Sequence, residues 1–588
     1  MSGECSGAPS KSPWWWPPTF LFGQPTTRQR TNMADGQHFE SVAIVVAFVY
    51  LLVLLGLGVV GYLRSTPSEE DYYLAGRNQG WFVTSLTIIA TFFSAFAFLG
   101  APGLVYRHGA VFALFALNVP LAGASVYLLG ARIRRVGQAK DFVTPADMIS
   151  DYYDSPVTLR LLVALAGYLY AIPYVMIQIK AGGEISAVMF KGWQLELGAL
   201  GSFDAFQVGA VVLSLITMTY IMIGGMRSVA WTDALQGLLL IGGMLLGGVA
   251  VISAFGGLRG FGEAVASLPA TALTSPGPTG AFPWSKMLTI VMFASVGSLV
   301  QPAQWMRFYS AASSKSLKRS ALLFAIALPP CFLLGVMLVG LGGQSLFPLV
   351  GEGASAVAHP LVEQPDRILI VVLRGQLPIM LGVTVGTALA SLVIVAIMAA
   401  SMSTADSNLH ALSALTVRDI YDRFFRPKST QVERLWVGRA VIVVTTLLAL
   451  VMVLRSYSSQ STSSSFDVMR MIALLGLVAI GFSCQLLPLT IDMLFLRRGT
   501  AAGAACGLAA GLVGAFFFGG MFDPVAEAMQ GTAFGPTAAW IQSLKSGLPM
   551  DSTAWGLLWN VPVFVVVSWF TRPVDPAKCA EYAKLVRE

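Results

Sequence analysis

Between Ala399 and Leu409 the chain reads AASMSTADSNL, at the end of an apolar run that begins near Leu377. With successive helical residues turned by about 100°, Ala400, Ser403 and Thr404 fall within roughly a third of the circumference, so one face presents a main-chain carbonyl beside two hydroxyls. Uncharged oxygen dipoles suit a small alkali cation held weakly enough to be released; a divalent ion would want several carboxylates. The alternative is that the hydroxyls bond back to carbonyls one turn earlier, as they do in many membrane helices. Asp406, Ser407 and Asn408 follow directly and favour a site, because ionisable groups at membrane depth are rare without a role. The four histidines, His38, His108, His359 and His410, are paired neither with one another nor with cysteine at ligand spacing, and no catalytic constellation points to an enzyme.

The elements that must position this face are membrane helices. Hydrophobic residues make up 55% of the 588 and charged residues 11%, which excludes a soluble globular domain and implies an all-α polytopic membrane protein. The net charge of +7 sits in short loops between apolar runs, so it reads as a topology signal and not as a nucleic-acid surface. Cys5, Cys331, Cys484, Cys506 and Cys579 are scattered singly and read as packing residues without disulfides.

Residues 1–40 are polar and Pro-rich, with Trp14, Trp15 and Trp16 between prolines, and read as a disordered tail without a cleaved signal peptide. About thirteen spanning runs follow, at 41–63, 81–106, 109–131, 159–189, 204–224, 229–255, 284–306, 319–343, 377–414, 435–454, 467–496, 500–522 and 553–571. With the N-terminus outside, about two thirds of the Lys and Arg residues fall in loops that are then cytoplasmic, among them Arg132, Arg134, Arg135, Arg307, Lys315 and Lys318. The tail 572–588, with Arg572 and Lys584, is then inside, and the plasma membrane is the expected location.

Two runs are interrupted by Gly and Pro: 81–106, with LGAPG at Leu99–Gly103, and 284–306, with GSLVQP at Gly297–Pro302. Each is the first member of one of two consecutive five-helix groups, which is the sequence pointer to an inverted-repeat transporter with its site near the midplane. The organisation expected is a peripheral helix at 41–63, a first repeat at 81–255, a second at 284–496, and two peripheral helices at 500–571.

Four motifs resemble the sodium:solute symporter family, whose members are transporters of the LeuT type. They are the loop Asp71–Arg77 (DYYLAGR), the run Gly80–Gly103, the stretch Gly224–Gln236 (GGMRSVAWTDALQ), and Gln301-Pro302 with Arg307; the segment 399–409 then matches the family's eighth core helix. The resemblance implies a sodium ion held by carbonyls of Ala90 and Phe93 on a broken first core helix and by Ala400, Ser403 and Thr404 on the eighth. It also points to Asp233 on the ion's exit route, although a carboxylate that opens an apolar run is equally a helix-start charge favoured by the dipole. One departure stands out: some family members carry an acidic residue two positions after the equivalent of Ala90, where this chain has Phe92.

The stretch Ser94–Gly109 is closer to the branch carrying monocarboxylates, vitamins and other small anions than to the sugar branch. Free N–H groups at half-helix N-termini suit a carboxylate, so the candidate pocket residues are Phe93, Ser94 and Phe96, with Tyr174 and Gln178 on the third core helix and Ser295, Gln301 and Gln304 on the sixth. Lys180, a cation inside an apolar run, is expected to snorkel outward and pair with Glu184 one turn on; attraction of an anionic solute is the minority alternative. The expected activity is sodium-coupled import of a small organic solute, most readily a monocarboxylate, by alternating access. Alternatives are proton coupling through Asp233 or Asp406, a transporter-like sensor, and proline-like, pantothenate or sugar solutes. The partners expected are that solute and the lipid bilayer, with no nucleic acid.

Overall fold

The computed structural model describes residues 28–64, 68–196, 198, 201–351, 353–458, 472–529 and 531–587. In lipid every backbone amide must find its acceptor within its own segment, so long apolar runs become helices. Among the described residues eleven continuous helices are long and apolar enough to cross a bilayer, and two bent pairs raise the number of spans to thirteen. The bent pairs are Trp81–Phe92 with Phe96–His108, at 55°, and Trp284–Leu299 with Pro302–Ser310, at 52°.

Three boundaries differ from expectation. The first helix begins at Arg28, so residues 28–40 are helical and not tail; residues 1–27, including the Trp triplet and Cys5, lie outside the described residues. The break in the first bent pair falls at Phe93–Ala95 and not at Leu99–Gly103, which is helical. There Gly100 and Gly103 allow close packing instead: a Cβ on Gly100 would lie 2.7 Å from the Ala473 Cβ, and one on Gly103 2.9 Å from the Pro365 carbonyl carbon. The runs 204–224 and 229–255 become two spans, Ala205–Met222 and Gly225–Ala254, parted at Gly225, whose φ of 56° and ψ of −168° only glycine adopts at low cost. The expected run 377–414 is two helices, Ile368–Leu381 and Val383–Leu415, parted at Gly382 with φ 81°.

Outside the spans, the face richer in Arg and Lys carries the helix Pro145–Tyr152, started by a capping box between Thr144 and Asp147. Arg160 donates to Asp147 at 2.8 Å and also to Asp419, which fastens this short helix to the helix Thr158–Met189 and to Thr416–Phe425, the continuation of Val383–Leu415. The tail is a docked helix, Pro576–Arg587, with Tyr582 buried and donating to Asp151 at 2.7 Å. Of the cysteines, Cys506 is exposed on its helix and does not pack as expected.

Candidate cation and solute site

The first break is built by local side-chain chemistry. Phe93 leaves the helix with φ −87° and ψ 102°. Ser94 then starts the second half: its carbonyl accepts from the Ala97 amide at 2.9 Å, and its Oγ accepts from the Phe96 amide at 3.1 Å. In the second bent pair Gln301 does the same work, its Oε1 accepting from the Ala303 amide at 2.7 Å ahead of Pro302.

Opposite the first break lies the hydroxyl face of Val383–Leu415. Ser403 Oγ and Thr404 Oγ1 each lie 3.2 Å from the Ala90 carbonyl oxygen, and Ser403 Oγ is 3.0 Å from the Ala400 carbonyl oxygen. Ala90, Phe93, Ala400, Ser403 and Thr404 have no exposed surface. Both hydroxyls therefore reach across to another helix, and Ser403 also bonds back along its own. Four oxygens from two elements converge in a dry spot, which is the arrangement a monovalent cation needs. Phe92 points elsewhere, its ring edge-on to Phe324 at 4.9 Å.

Toward the basic face the site is closed by an ion pair. Arg307 donates to Asp233 Oδ2 at 2.8 Å, to Thr87 Oγ1 at 2.9 Å and to the Ala303 carbonyl at 3.1 Å, and it also reaches Ser407. Both charges are buried, at 1% and 0% side-chain exposure. Asp233 is thus not a helix-start charge but lies well inside Gly225–Ala254. Arg307, expected in a loop, is the buried partner that holds it. The sequence signal was present in the spacing of Gln301-Pro302 and Arg307, which puts Arg307 about one and a half turns into the second half of a broken helix.

The solute candidates fall into two groups. Ser94 Oγ lies 3.4 Å from Tyr174 Oη, the Ala95 amide donates to Gln178 Oε1 at 3.2 Å, and Gln178 Nε2 donates to the Tyr174 carbonyl at 3.1 Å. Phe93 and Phe96 belong to the same neighbourhood, linked through Phe332 and Phe115 with ring centroids 5.1 to 5.5 Å apart. Ser295 instead donates to Asn118, a residue the sequence did not single out. Gln301 is engaged in its cap, and Gln304 Nε2 donates to the Ile88 carbonyl at 3.2 Å, on the Arg307 side of the break.

On the opposite face Lys180 is a correction: it is 8% exposed and does not pair with Glu184. Its ammonium lies 3.6 Å from Asp366, while Glu184 accepts from Arg367 at 2.7 Å. The chain supplies a longer-range carboxylate to each cation, because the loop before Ile368 folds back over the helix bearing Lys180.

Two broken spans heading two five-helix groups, with an oxygen-rich face joining the first break to a later straight helix, define a secondary transporter of the five-plus-five inverted-repeat class and not an enzyme. Comparison with known proteins narrows this. The profile of the sodium:solute symporter family matches residues 72–511, and the chain belongs to that family. It is 26% identical to a sodium/proline symporter of Haemophilus influenzae over 86% of this chain and 95% of that protein. It is also 26% identical to a sodium/proline symporter of Escherichia coli, covering 80% and 86%. Among solved structures, a Na+-coupled sialic acid symporter in a substrate-bound outward-open state superposes with a TM-score of 0.65 at 21% identity, covering 91% of this chain and 99% of that one. That likeness establishes the fold, with one helix before the repeats and two after them. Sodium is the coupling ion of the family, and the chain is an integral membrane transporter.

Proposed function

We propose that the chain imports a small amino acid or imino acid of no net charge, proline first among the candidates, together with sodium by alternating access. The observation that carries this reading is the clasp of Ser403 and Thr404 on the Ala90 carbonyl. A cation bound by Ala90, Phe93, Ala400, Ser403 and Thr404 ties the broken helix to the straight one and favours the state that receives solute. Each charge moving inward at about 100 mV contributes roughly 2.3 kcal/mol, and the sodium gradient adds to it.

The solute assignment moves away from a monocarboxylate on two grounds. The relatives above are named as proline symporters. The residues grouped around the break, Ser94, Tyr174 and Gln178, carry no formal charge, so a net-neutral solute leaves no uncompensated charge beside a sodium ion. Asp233 with Arg307 is the inner seal that must part for release. The repeats are taken as 81–255 and 284–496, with the N-terminus outside, the C-terminus in the cytoplasm, and the plasma membrane as location, on the distribution of Lys and Arg.

The test is uptake into vesicles with sodium, lithium and pH gradients imposed separately, against proline, acetate, lactate, pyruvate, pantothenate and glucose. Sodium-driven accumulation of proline is expected. Uptake driven by a pH gradient alone, or confined to glucose, overturns the reading.

A further inference from the structure

Asn118 is fully buried, at 0% exposure, yet only half of its amide is engaged. Its Oδ1 accepts from Ser295 Oγ, and its Nδ2 has no acceptor among the described residues. A buried amide donor left unmet is costly, and a bilayer interior offers no water to relieve it. Alanine or valine there would pack without that cost, so an amide at this position asks for a partner that is not part of the chain.

Its surroundings say what kind. One turn before Asn118, Phe115 stacks on Phe112 at 5.4 Å and faces Phe96 at 5.4 Å and Phe332 at 5.5 Å; Phe332 in turn meets Phe93 at 5.1 Å. A run of aromatic rings thus leads from the broken helix to the Asn118 amide. Ser295 ties that amide to the helix Trp284–Leu299, the first half of the second broken span. Asn118 therefore bridges from the helix that follows the first broken span to the second broken span, beside an apolar wall suited to a compact ring.

From this arrangement we infer that Asn118 is a solute-binding residue, its Nδ2–H donating to the carboxylate of a small apolar-bodied amino or imino acid, with Ser295 fixing which end of the amide faces the solute. The inference rests on the transport reading above and deepens it by assigning recognition of the carboxylate. With Ser295 donating to the Oδ1 end, the end of the amide left to face a solute is the Nδ2 donor. The Phe wall takes the ring, and the amide donor takes a carboxylate oxygen in a charge-assisted hydrogen bond.

The experiment uses full-length protein in vesicles with an inward sodium gradient. L-proline uptake is measured beside inhibition by pyrrolidine, which has the ring and lacks the carboxylate. For N118A the proline KM rises about tenfold with the maximal rate within about twofold, and for N118D it rises further, because a carboxylate there repels the solute's own. Pyrrolidine inhibition and half-saturation by sodium stay unchanged in both. S295A, which frees the amide to turn, lowers the preference for proline over pyrrolidine and serves as the test should N118D fail to fold. An N118D protein within twofold of wild type, a parallel loss of proline and pyrrolidine, or an unchanged preference in S295A overturns the inference. Should the wild type take lactate and not proline, the solute reading fails while the inference is judged on lactate against ethanol. Uptake confined to glucose overturns both.

Discussion

Removing one hydroxyl from the cation clasp is the sharpest perturbation available. In S403A the Ala90 and Ala400 carbonyls both lose the oxygen now 3.2 and 3.0 Å from them; in T404V the shape is nearly kept while the oxygen at 3.2 Å from Ala90 is lost. A polar contact to a charged partner contributes roughly 1.5–3 kcal/mol, and each 1.4 kcal/mol is tenfold, so either change raises the sodium concentration for half-maximal uptake by roughly 10- to 150-fold. Ser401 provides the control: it is equally buried on the same helix, but its hydroxyl donates only to the Ile397 carbonyl at 3.0 Å. S401A should leave sodium activation within about twofold, since a back-bonded helix hydroxyl contributes little. The assay is initial uptake rate against sodium concentration at fixed solute and potential. If S403A and T404V titrate with sodium as S401A does, the hydroxyls are packing features and the cation lies elsewhere.

Three further outcomes follow from the ion pairs. R307Q strands Asp233 in a dry site and should cost about 3–5 kcal/mol of stability, most of it recovered in D233N/R307Q; thermal unfolding in detergent reads both. On the opposite face K180M should lower the unfolding temperature more than E184Q, because Arg367 retains Glu363 as a second carboxylate while Asp366 has no second cation among the described ion pairs. Burial pushes the Asp151 carboxyl up, but hydrogen bonds from Tyr582, Lys140 and Lys578 outweigh it and hold the group below its ordinary 3.8. Its contribution is therefore present above about pH 4 and lost as pH falls through the lower folded value. A spin label placed by K584C should gain mobility only below that range in the wild type, and at all pH values in D151N.

The span pattern was legible because lipid leaves a chain so few options: thirteen apolar runs became thirteen spans. What escaped was backbone punctuation. Gly100, Pro102 and Gly103 suggested the break, but the chain departs from helix at Phe93, where Ser94 can cap a new start and the glycines are needed for contact with Ala473 and Pro365. The hydroxyl face was legible from the spacing of Ser403 and Thr404, since helical geometry alone sets it. The partners of Lys180, Glu184 and Asp233 were not, because each lies more than 70 residues away in sequence: Asp366, Arg367 and Arg307. Local spacing proposed Glu184 for Lys180, and tertiary contacts overrode it. Asn118 gave no signal at all, as a single amide in an apolar run looks like any other.

The absence of a carboxylate at Phe92 raises the question of what electrostatic support sodium retains. Arg307 balances Asp233, so that pair adds no net charge. Asp406 has no ion-pair partner among the described residues: Tyr220 donates to it at 2.6 Å and Ser407 at 3.1 Å, both uncharged. It stands three residues after Ser403, and i, i+3 neighbours on a helix are about 6 Å apart. When ionised beside the bound cation, a carboxylate at about 6 Å contributes on the order of 2–3 kcal/mol at an effective dielectric of about 20. This predicts that D406N, which keeps the shape and removes the charge, weakens sodium activation by roughly 30- to 150-fold, and that D406E restores most of it. Tyr220→Phe removes one neutral hydrogen bond and leaves the charge, so its effect should stay within about tenfold. A D406N protein with unaltered sodium half-saturation would place the compensating charge elsewhere and leave neutral oxygens as the sole grip on the ion.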